Sequence, residues 1–358
     1  MIMAKWLAVM VITLLASALG ASSGTPEALK VGFIYVGPVG DYGLSYAHDQ
    51  GRRYLETTLP DVKTTYAESV PEGADAERVL TQLARAGHKV IFATSYGYMD
   101  TMLKVAERFP DVVFLHCSGH KRRANMGTYF GRMYQASYLT GLVAGMVTQT
   151  KRIGYVAPIP IPEVIRIINA FVLGVRAVNP EVNVHVVWTN AWYDPATESE
   201  ATNSLLDIGA DLIATQSDSP APVQTAERRG AYGVGFNADA GRFAPTKHLA
   251  SAIWNWGPYY VEAVKQVRAG TWKSTDEWWP IGTGIVGLSP LGPAVSETLK
   301  NLVEQRQQDL MAGRFDVFWG PIKDQSGKLR IAADEKPADE VLLGMNWFVE
   351  GVVGTVPK

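Results

Sequence analysis

The chain alternates between short unbroken apolar runs and longer stretches of helical spacing. Residues 31–36, VGFIYV, form one such run, with the length and composition of a strand buried on both faces. Gly37, Pro38 and Gly40 break it, and Asp41 precedes a segment that reads as helix through Leu55. The second half repeats the pattern. Ile153-Gly154-Tyr155-Val156 matches the first strand, and Gly174-Val175-Arg176-Ala177 matches the helix end at Gly51-Arg52-Arg53-Tyr54. Asn179-Pro180-Glu181-Val182 matches Leu59-Pro60-Asp61-Val62, and a second strand follows each, near 63–66 and at 183–188. The next unit recurs as well: residues 83–95, LARAGHKVIFATS, pair with residues 205–217, LLDIGADLIATQS. In each, Gly87 or Gly209 carries the signal that ends a helix, and a buried strand follows.

Strand, helix, strand, helix, strand in each half predicts parallel sheets with crossover helices. The repeat is too long for a solenoid, so the expected fold is α/β, with two doubly wound parallel-sheet lobes. The N-terminal lobe is expected to hold residues 29–150 plus about 249–278, through a strand at 249–254 and a helix at 259–269 that return to it. The C-terminal lobe is expected to hold 151–248 plus about 279–358, including the helix at 294–311 and a C-terminal extension. Several crossings make a multi-strand hinge, and hinge closure over a ligand is how such folds bind. The pair Trp278-Trp279 is assigned to lobe packing or the hinge rather than the site. In the tail, Asp324-Gln325-Ser326-Gly327 reads as a hairpin turn and residues 342–353 as an apolar packing segment.

Composition narrows the function classes. A net charge of -2 leaves no basic footprint for nucleic acid. Residues 1–24 read as an export signal: Lys5 is the positive start, residues 6–15 the apolar core, and Ala18-Leu19-Gly20 a cleavage site of small residues. The alternative is a buried N-terminal helix. The apolar core is short for a membrane span, and no Cys lies near the cut to take a lipid. Cys117 is the sole cysteine, so no intrachain disulfide is possible. The expectation is a soluble exported protein, periplasmic in a Gram-negative source.

Signals for catalysis are few. There is no G-x-S-x-G elbow, no H-E-x-x-H and no Cys pair. His116-Cys117-Ser118-Gly119-His120, after the apolar run 112–115, offers a thiol with a base or part of a metal site. The competing reading is a strand end with a buried Cys and surface histidines. Neither a catalytic residue nor a metal or cofactor is expected. Binding is better marked, because strand ends of both halves carry aromatic and polar residues. In the first half these are Asp41, Tyr42, Ser45 and Tyr46, then Ser95 and Tyr96; in the second, Trp192, Asp218, Asn237 and Asp239, then Trp254. Facing lobes would bring these loops to one crevice, where rings sandwich a flat ligand while Asp and Asn read its edge.

At this point the chain resembles the basic membrane protein family of ABC-transporter substrate-binding proteins, the PnrA-like purine binders, over residues 30–313. The resemblance rests on Asp41 with Gly51 ten residues on, and on Tyr138-Leu139-Thr140-Gly141-Leu142-Val143-Ala144-Gly145. It rests also on Asn179-Pro180, on Gly209-Ala210-Asp211, and on Gly235-Phe236-Asn237-Ala238-Asp239 followed by a strand with Ser251. The family implies a type I periplasmic binding fold that closes on a purine nucleoside or base and hands it to a membrane permease driven by a separate ATPase. Departures bear on the ligand. Gly43, Leu44 and Ser45 stand where nucleoside binders have S-F-N, which passes stacking to Tyr42 or Tyr46. Asn237 replaces an Asp and Trp254 a Lys, which removes partners for a ribose. The resemblance therefore implies a free purine base, with Asp218 accepting from an amino or ring N–H. Adenine fits naturally, and guanine and hypoxanthine stay open. A monomer is expected. Two other classes remain as alternatives: an exported nucleoside-cleaving hydrolase, which needs a metal or acid–base pair, and a ligand-sensing protein of a signalling system, which lacks a DNA-binding headpiece and a second hydrophobic span here.

Overall fold

A computed structural model of the protein describes residues 28–357. The expected export signal and its alternative lie outside these residues. The chain begins in β1 (Leu29–Ile34) and α1 (Leu44–Thr58), then β2 (Val62–Ala67), α2 (Ala74–Arg85), β3 (Val90–Ala93), α3 (Met99–Arg108), β4 (Val113–Cys117) and β5 (Met126–Gly131). It continues through α4 (Met133–Val147), β6 (Arg152–Ala157), α5 (Pro162–Val178), β7 (Asn183–Trp188), α6 (Pro195–Asp207), β8 (Leu212–Thr215), α7 (Ala221–Arg228) and β9 (Tyr232–Asn237). Then come β10 (His248–Trp254), α8 (Gly257–Ala269), β11 (Asp276–Trp279), β12 (Val286–Leu288) and α9 (Glu297–Met311). A tail adds β13 (Ile322–Lys323), β14 (Leu329–Ile331), α10 (Asp339–Leu343) and β15 (Val352–Val353).

Two sheets carry the lobes. The first, ordered β11-β5-β4-β3-β1-β2, is parallel throughout. The second, ordered β12-β10-β9-β8-β6-β7-β15, is parallel except where β12 runs against β10. The central strands β3 and β8 are buried at every residue, as an unbroken apolar run between two helix layers requires.

Two elements sit in the other lobe from the one expected. The strand at 249–254 does not return to the first sheet: β10 pairs with β9 and β12 in the second. The helix α4 packs on α5 rather than with the elements before it. A Cβ at Gly141 would lie 2.1 Å from the carbonyl of Phe171, and one at Gly174 would lie 2.1 Å from that of Tyr138. The small residues of the T-G-L-V-A-G run therefore serve close helix contact. An all-round apolar helix such as α4, buried from Met133 to Gly145, must lie between layers, and it lies in the second lobe.

The chain crosses between lobes at Gly131–Met133, Trp254–Gly257 and Trp279–Val286. The crossings are tied together: Arg132 N–H donates to the Trp279 carbonyl at 2.7 Å and Asn255 N–H to the Ile285 carbonyl at 2.8 Å. Trp278 and Trp279 stand at this junction, Trp278 under the Arg132 guanidinium at 4.1 Å and Trp279 against Tyr259. The tail packs on the second lobe. Asn169 holds it by donating to the Trp347 carbonyl at 2.8 Å and accepting from Val349 N–H at 3.0 Å. The turn at Asp324 forms as a carboxylate-capped hairpin, with Gly327 at φ 80°.

Candidate functional site

Between the lobes lies a narrow hollow lined by residues from both. Most of its lining residues follow the carboxyl ends of parallel strands, where open α/β sheets leave a crevice. The first lobe contributes Val36 after β1, Ser95 and Tyr96 after β3, Ser118 after β4 and Phe130 at the end of β5. The second contributes Glu163, Trp192, Gln216, Asp218, Phe236, Asn237 and Trp254.

A hydrogen-bonded chain runs along one end and joins the lobes. The Trp254 indole N–H donates to Asn237 Oδ1 at 2.9 Å. Asn237 Nδ2 donates to Asp218 Oδ1 at 2.7 Å, and the backbone N–H of Leu44 in the first lobe donates to the same oxygen at 3.3 Å. Asn237 holds this position with φ 67°, a left-handed conformation that Asn tolerates better than most residues. Asp218 Oδ2 is buried without a partner. Burial, and after it the nearby charge of Asp41, pushes the Asp218 carboxyl well above the usual range. At the opposite end Glu163, half-buried, is pushed up to about 7 by burial, against the lowering influence of the Arg166 charge.

The lobes are in direct contact beside this chain. A Cβ at Gly43 would lie 2.3 Å from the Asp218 carbonyl, so glycine is what lets the start of α1 reach the second lobe. Tyr42, at φ 62°, lies under the Arg242 guanidinium at 3.6 Å, edge-on to Phe243 and stacked on Tyr46 at 4.3 Å.

The structure divides the sequence candidates. Ser95, Tyr96, Trp192, Asp218, Asn237 and Trp254 share the hollow. Tyr42 and Tyr46 do not border it; their rings pack on each other at the lobe contact. Asp41 and Ser45 face their own turn. Asp41 Oδ1 accepts from the N–H groups of Gly43 at 2.7 Å and Tyr46 at 3.1 Å, and Ser45 Oγ accepts from Gly37 N–H at 3.0 Å. These two order the loop that carries Leu44. Asp239 is exposed and caps Gly241 N–H at 2.9 Å, away from the hollow. Phe130, Phe236, Ser118 and Glu163 were missed. Phe130 and Phe236 each close an apolar strand, so the strand-end rule that found Trp254 applies to them equally.

The histidine-cysteine segment is not a reactive site. Cys117 is fully buried and its thiol is pushed up by burial. His116 is not a surface residue as expected: it is fully buried, held near 4 by that burial, with Nε2 on the Ser95 carbonyl at 2.8 Å. It therefore props the loop bearing Ser95 and Tyr96. Among the described residues no group of three or more His, Cys, Asp or Glu is placed to hold a metal ion.

Two parallel-sheet lobes, a triple crossing and a ring-lined hollow at the facing strand ends define a small-molecule binding protein of the type I periplasmic kind. Residues 28–314 match the family described as ABC transporter substrate-binding protein PnrA-like (Bmp), and the chain belongs to that family, whose members bind substrates for transport rather than transform them. It is 44% identical to "Purine-binding protein BAB2_0673" of Brucella abortus (strain 2308) over 95% of this chain and 97% of that one. It is 42% identical to "Putative ABC transporter glucose-binding protein TsgA13" of Haloferax volcanii over 95% of this chain and 83% of that one. Among solved structures, an ABC transporter solute-binding protein from Conexibacter woesei DSM 14684 superposes with a TM-score of 0.67 at 24% identity, covering 81% of this chain and 98% of that one.

Proposed function

We propose that this chain is the extracytoplasmic, periplasmic receptor of an ABC importer and that its interlobe hollow takes a free purine base, adenine before guanine or hypoxanthine. It acts as a monomer, closing on the base and delivering it to a membrane permease with its cytoplasmic ATPase. The observation that carries this reading is the chain Leu44–Asp218–Asn237–Trp254. It spends both ends of Asn237 and one oxygen of Asp218 on protein partners and leaves Asp218 Oδ2 as the buried atom in need of one. A ligand amino or ring N–H supplies that partner and draws the carboxyl toward its charged form. Trp192, Phe130 and Phe236 offer ring faces for the plane of the base.

The two relatives carry different ligand words in their names, purine and glucose, at nearly equal identity, so the choice falls to the site. A hexose also stacks on indole rings, but it needs a polar partner for each of several hydroxyls. Ser95 Oγ is already engaged with Glu72 at 2.6 Å, as Asn237 is with Asp218 and Trp254. The polar atoms at the Asp218 end are thus committed to protein partners, and the rings beside them suit the flat face of a base. Calorimetry and thermal shift with adenine, guanine, hypoxanthine, adenosine and D-glucose test the reading. The expected result is tight binding of a free base with weak or absent binding of glucose; a response to glucose and none to any purine would overturn it.

A further inference from the structure

We infer that Glu163 selects a free base over its nucleoside by accepting the ring N–H that a sugar would replace. The inference rests on the purine reading above. Glu163 follows Pro162 in the first turn of α5, and it borders two hollows at once: the aromatic one and a second, wider one on its other side. Tyr96, Ser118 and Phe130 are shared in the same way, whereas Gln216, Asp218, Asn237 and Trp254 border only the first. The aromatic hollow therefore has two polar ends. The Asp218 end is closed by the lobe contact; the Glu163 end opens into further space. That space is walled by Asp276, Glu277 and Trp278 of β11 and by Asp339, Glu340 and Leu343 of the tail, beyond the family match.

Room behind Glu163 means that size does not exclude a sugar. Chemistry must do so. A purine base lying between the two ends places its amino edge at Asp218 and its imidazole edge at Glu163. The free base has a ring N–H there; a nucleoside has a glycosidic bond in its place and no proton to give. Glu163 is supported in the accepting role by the Arg166 charge nearby, and Ser118 borders the same two hollows. The Arg166 guanidinium is itself fixed, donating to the Leu342 carbonyl at 2.9 Å. Facing an N-substituted ring, the carboxylate is left without its donor, and sites built for an N–H reject analogues lacking it strongly.

The test is calorimetry on the described protein with adenine and 9-methyladenine, which keeps the amino edge, deletes the N–H and adds a methyl that the open side accommodates. Wild type, Glu163→Gln and Glu163→Ala are compared, with thermal unfolding as the folding control. Wild type is expected to favour adenine by at least roughly 30-fold, Glu163→Ala to narrow that ratio to about threefold, chiefly by weaker adenine binding, and Glu163→Gln, which keeps a neutral acceptor, to fall between the two. A ratio retained in both variants, or adenosine bound by wild type as tightly as adenine, overturns the inference while leaving the purine reading intact. Wild type that binds no free base overturns both. Glu163→Gln keeps the side-chain shape and carries the test if the alanine variant does not fold.

Discussion

Gly43→Ala tests whether the lobe contact is the binding mechanism rather than a packing detail. A Cβ there would sit 2.3 Å from the Asp218 carbonyl oxygen, 2.4 Å from its Cα and 2.6 Å from its carbonyl carbon. All three are backbone atoms, so no side chain can swing away. Ordinary contact needs more than 3.4 Å, so the lobes must separate by about an ångström at this point. The Leu44 N–H to Asp218 Oδ1 bond, already 3.3 Å, does not survive that movement. Loss of a hydrogen bond to a charged group costs about 1.5–3 kcal/mol. If adenine is bound only by the closed form, its Kd rises by roughly 10- to 150-fold. The lobes themselves should be undisturbed, because Gly43 has φ -100°, outside the left-handed region, and the three atoms nearest its added Cβ all belong to the opposite lobe. Calorimetry gives the affinity, urea unfolding without ligand gives the stability, and small-angle scattering gives the closure. Wild-type adenine affinity together with a wild-type scattering profile would refute the reasoning.

Trp192→Ala should weaken adenine binding by at least about 1–2 kcal/mol, read by calorimetry, with an unchanged unfolding midpoint because the indole is half-buried at the hollow's edge. Asp41 is buried and pushed up to about 7 by that burial. The folded state therefore holds a proton that the unfolded state releases near 3.8, and this group's contribution to stability is full below about 4 and declines as pH rises toward 7, by at most about 1.4 kcal/mol per pH unit. Asp41→Asn keeps the acceptor for Gly43 and Tyr46 and should flatten that decline in melting curves taken from pH 4 to 7; an unchanged slope would exclude Asp41 as its source. Gly174→Ala forces a Cβ against the Tyr138 carbonyl and should cost about 1–3 kcal/mol in urea unfolding, through α4–α5 separation.

The sequence made the repeated strand–helix units readable because they depend on local periodicity: each buried run and each glycine stop is set by neighbours within a few residues. Lobe membership of α4 and β10 was not readable in the same way. Both elements have the apolar character of something buried between layers, and only the fit of Gly141 and Gly174 against opposing carbonyls fixes which layer α4 joins. The site divides along the same line. Trp192, Asp218 and Asn237 follow strands, and the strand-end rule reaches them. Tyr42 and Tyr46 carry the same local signal, a Gly-rich turn before a helix, yet Arg242 and Phe243 from the other lobe take the Tyr42 ring. That partner lies two hundred residues away along the chain, so no local pattern records it. Asp41 shows the converse. Its carboxylate is diverted to N–H groups within five residues of itself, a competition between turn capping and ligand contact that short-range geometry decides in favour of the turn.

The same reasoning accounts for why Asp218 is left short of a partner. A carboxylate at a strand end facing only its own lobe would be hydrated or capped, as Asp194 is by Thr197 N–H at 3.1 Å. Asp218 instead meets the opposite lobe, which supplies one N–H from Leu44 and excludes water without offering a second donor. Closure thus creates a deficit, which in the proposed function a ligand N–H fills. The unliganded protein resists closing by the cost of the buried carboxyl, and a base that donates to it removes that cost. A ligand shifts such an equilibrium only by its differential affinity for the closed form, and under the proposed function this contact would provide the difference. Asp218→Asn follows as a direct consequence: it removes the charge, eases closure of the empty protein and deletes the strongest acceptor. Small-angle scattering without ligand should then move toward the compact profile, while adenine affinity falls by roughly 10-fold or more, the weight of a hydrogen bond to a charged group. An Asp218→Asn protein that stays as open as wild type and binds adenine equally well would show that neither closure nor recognition runs through this residue.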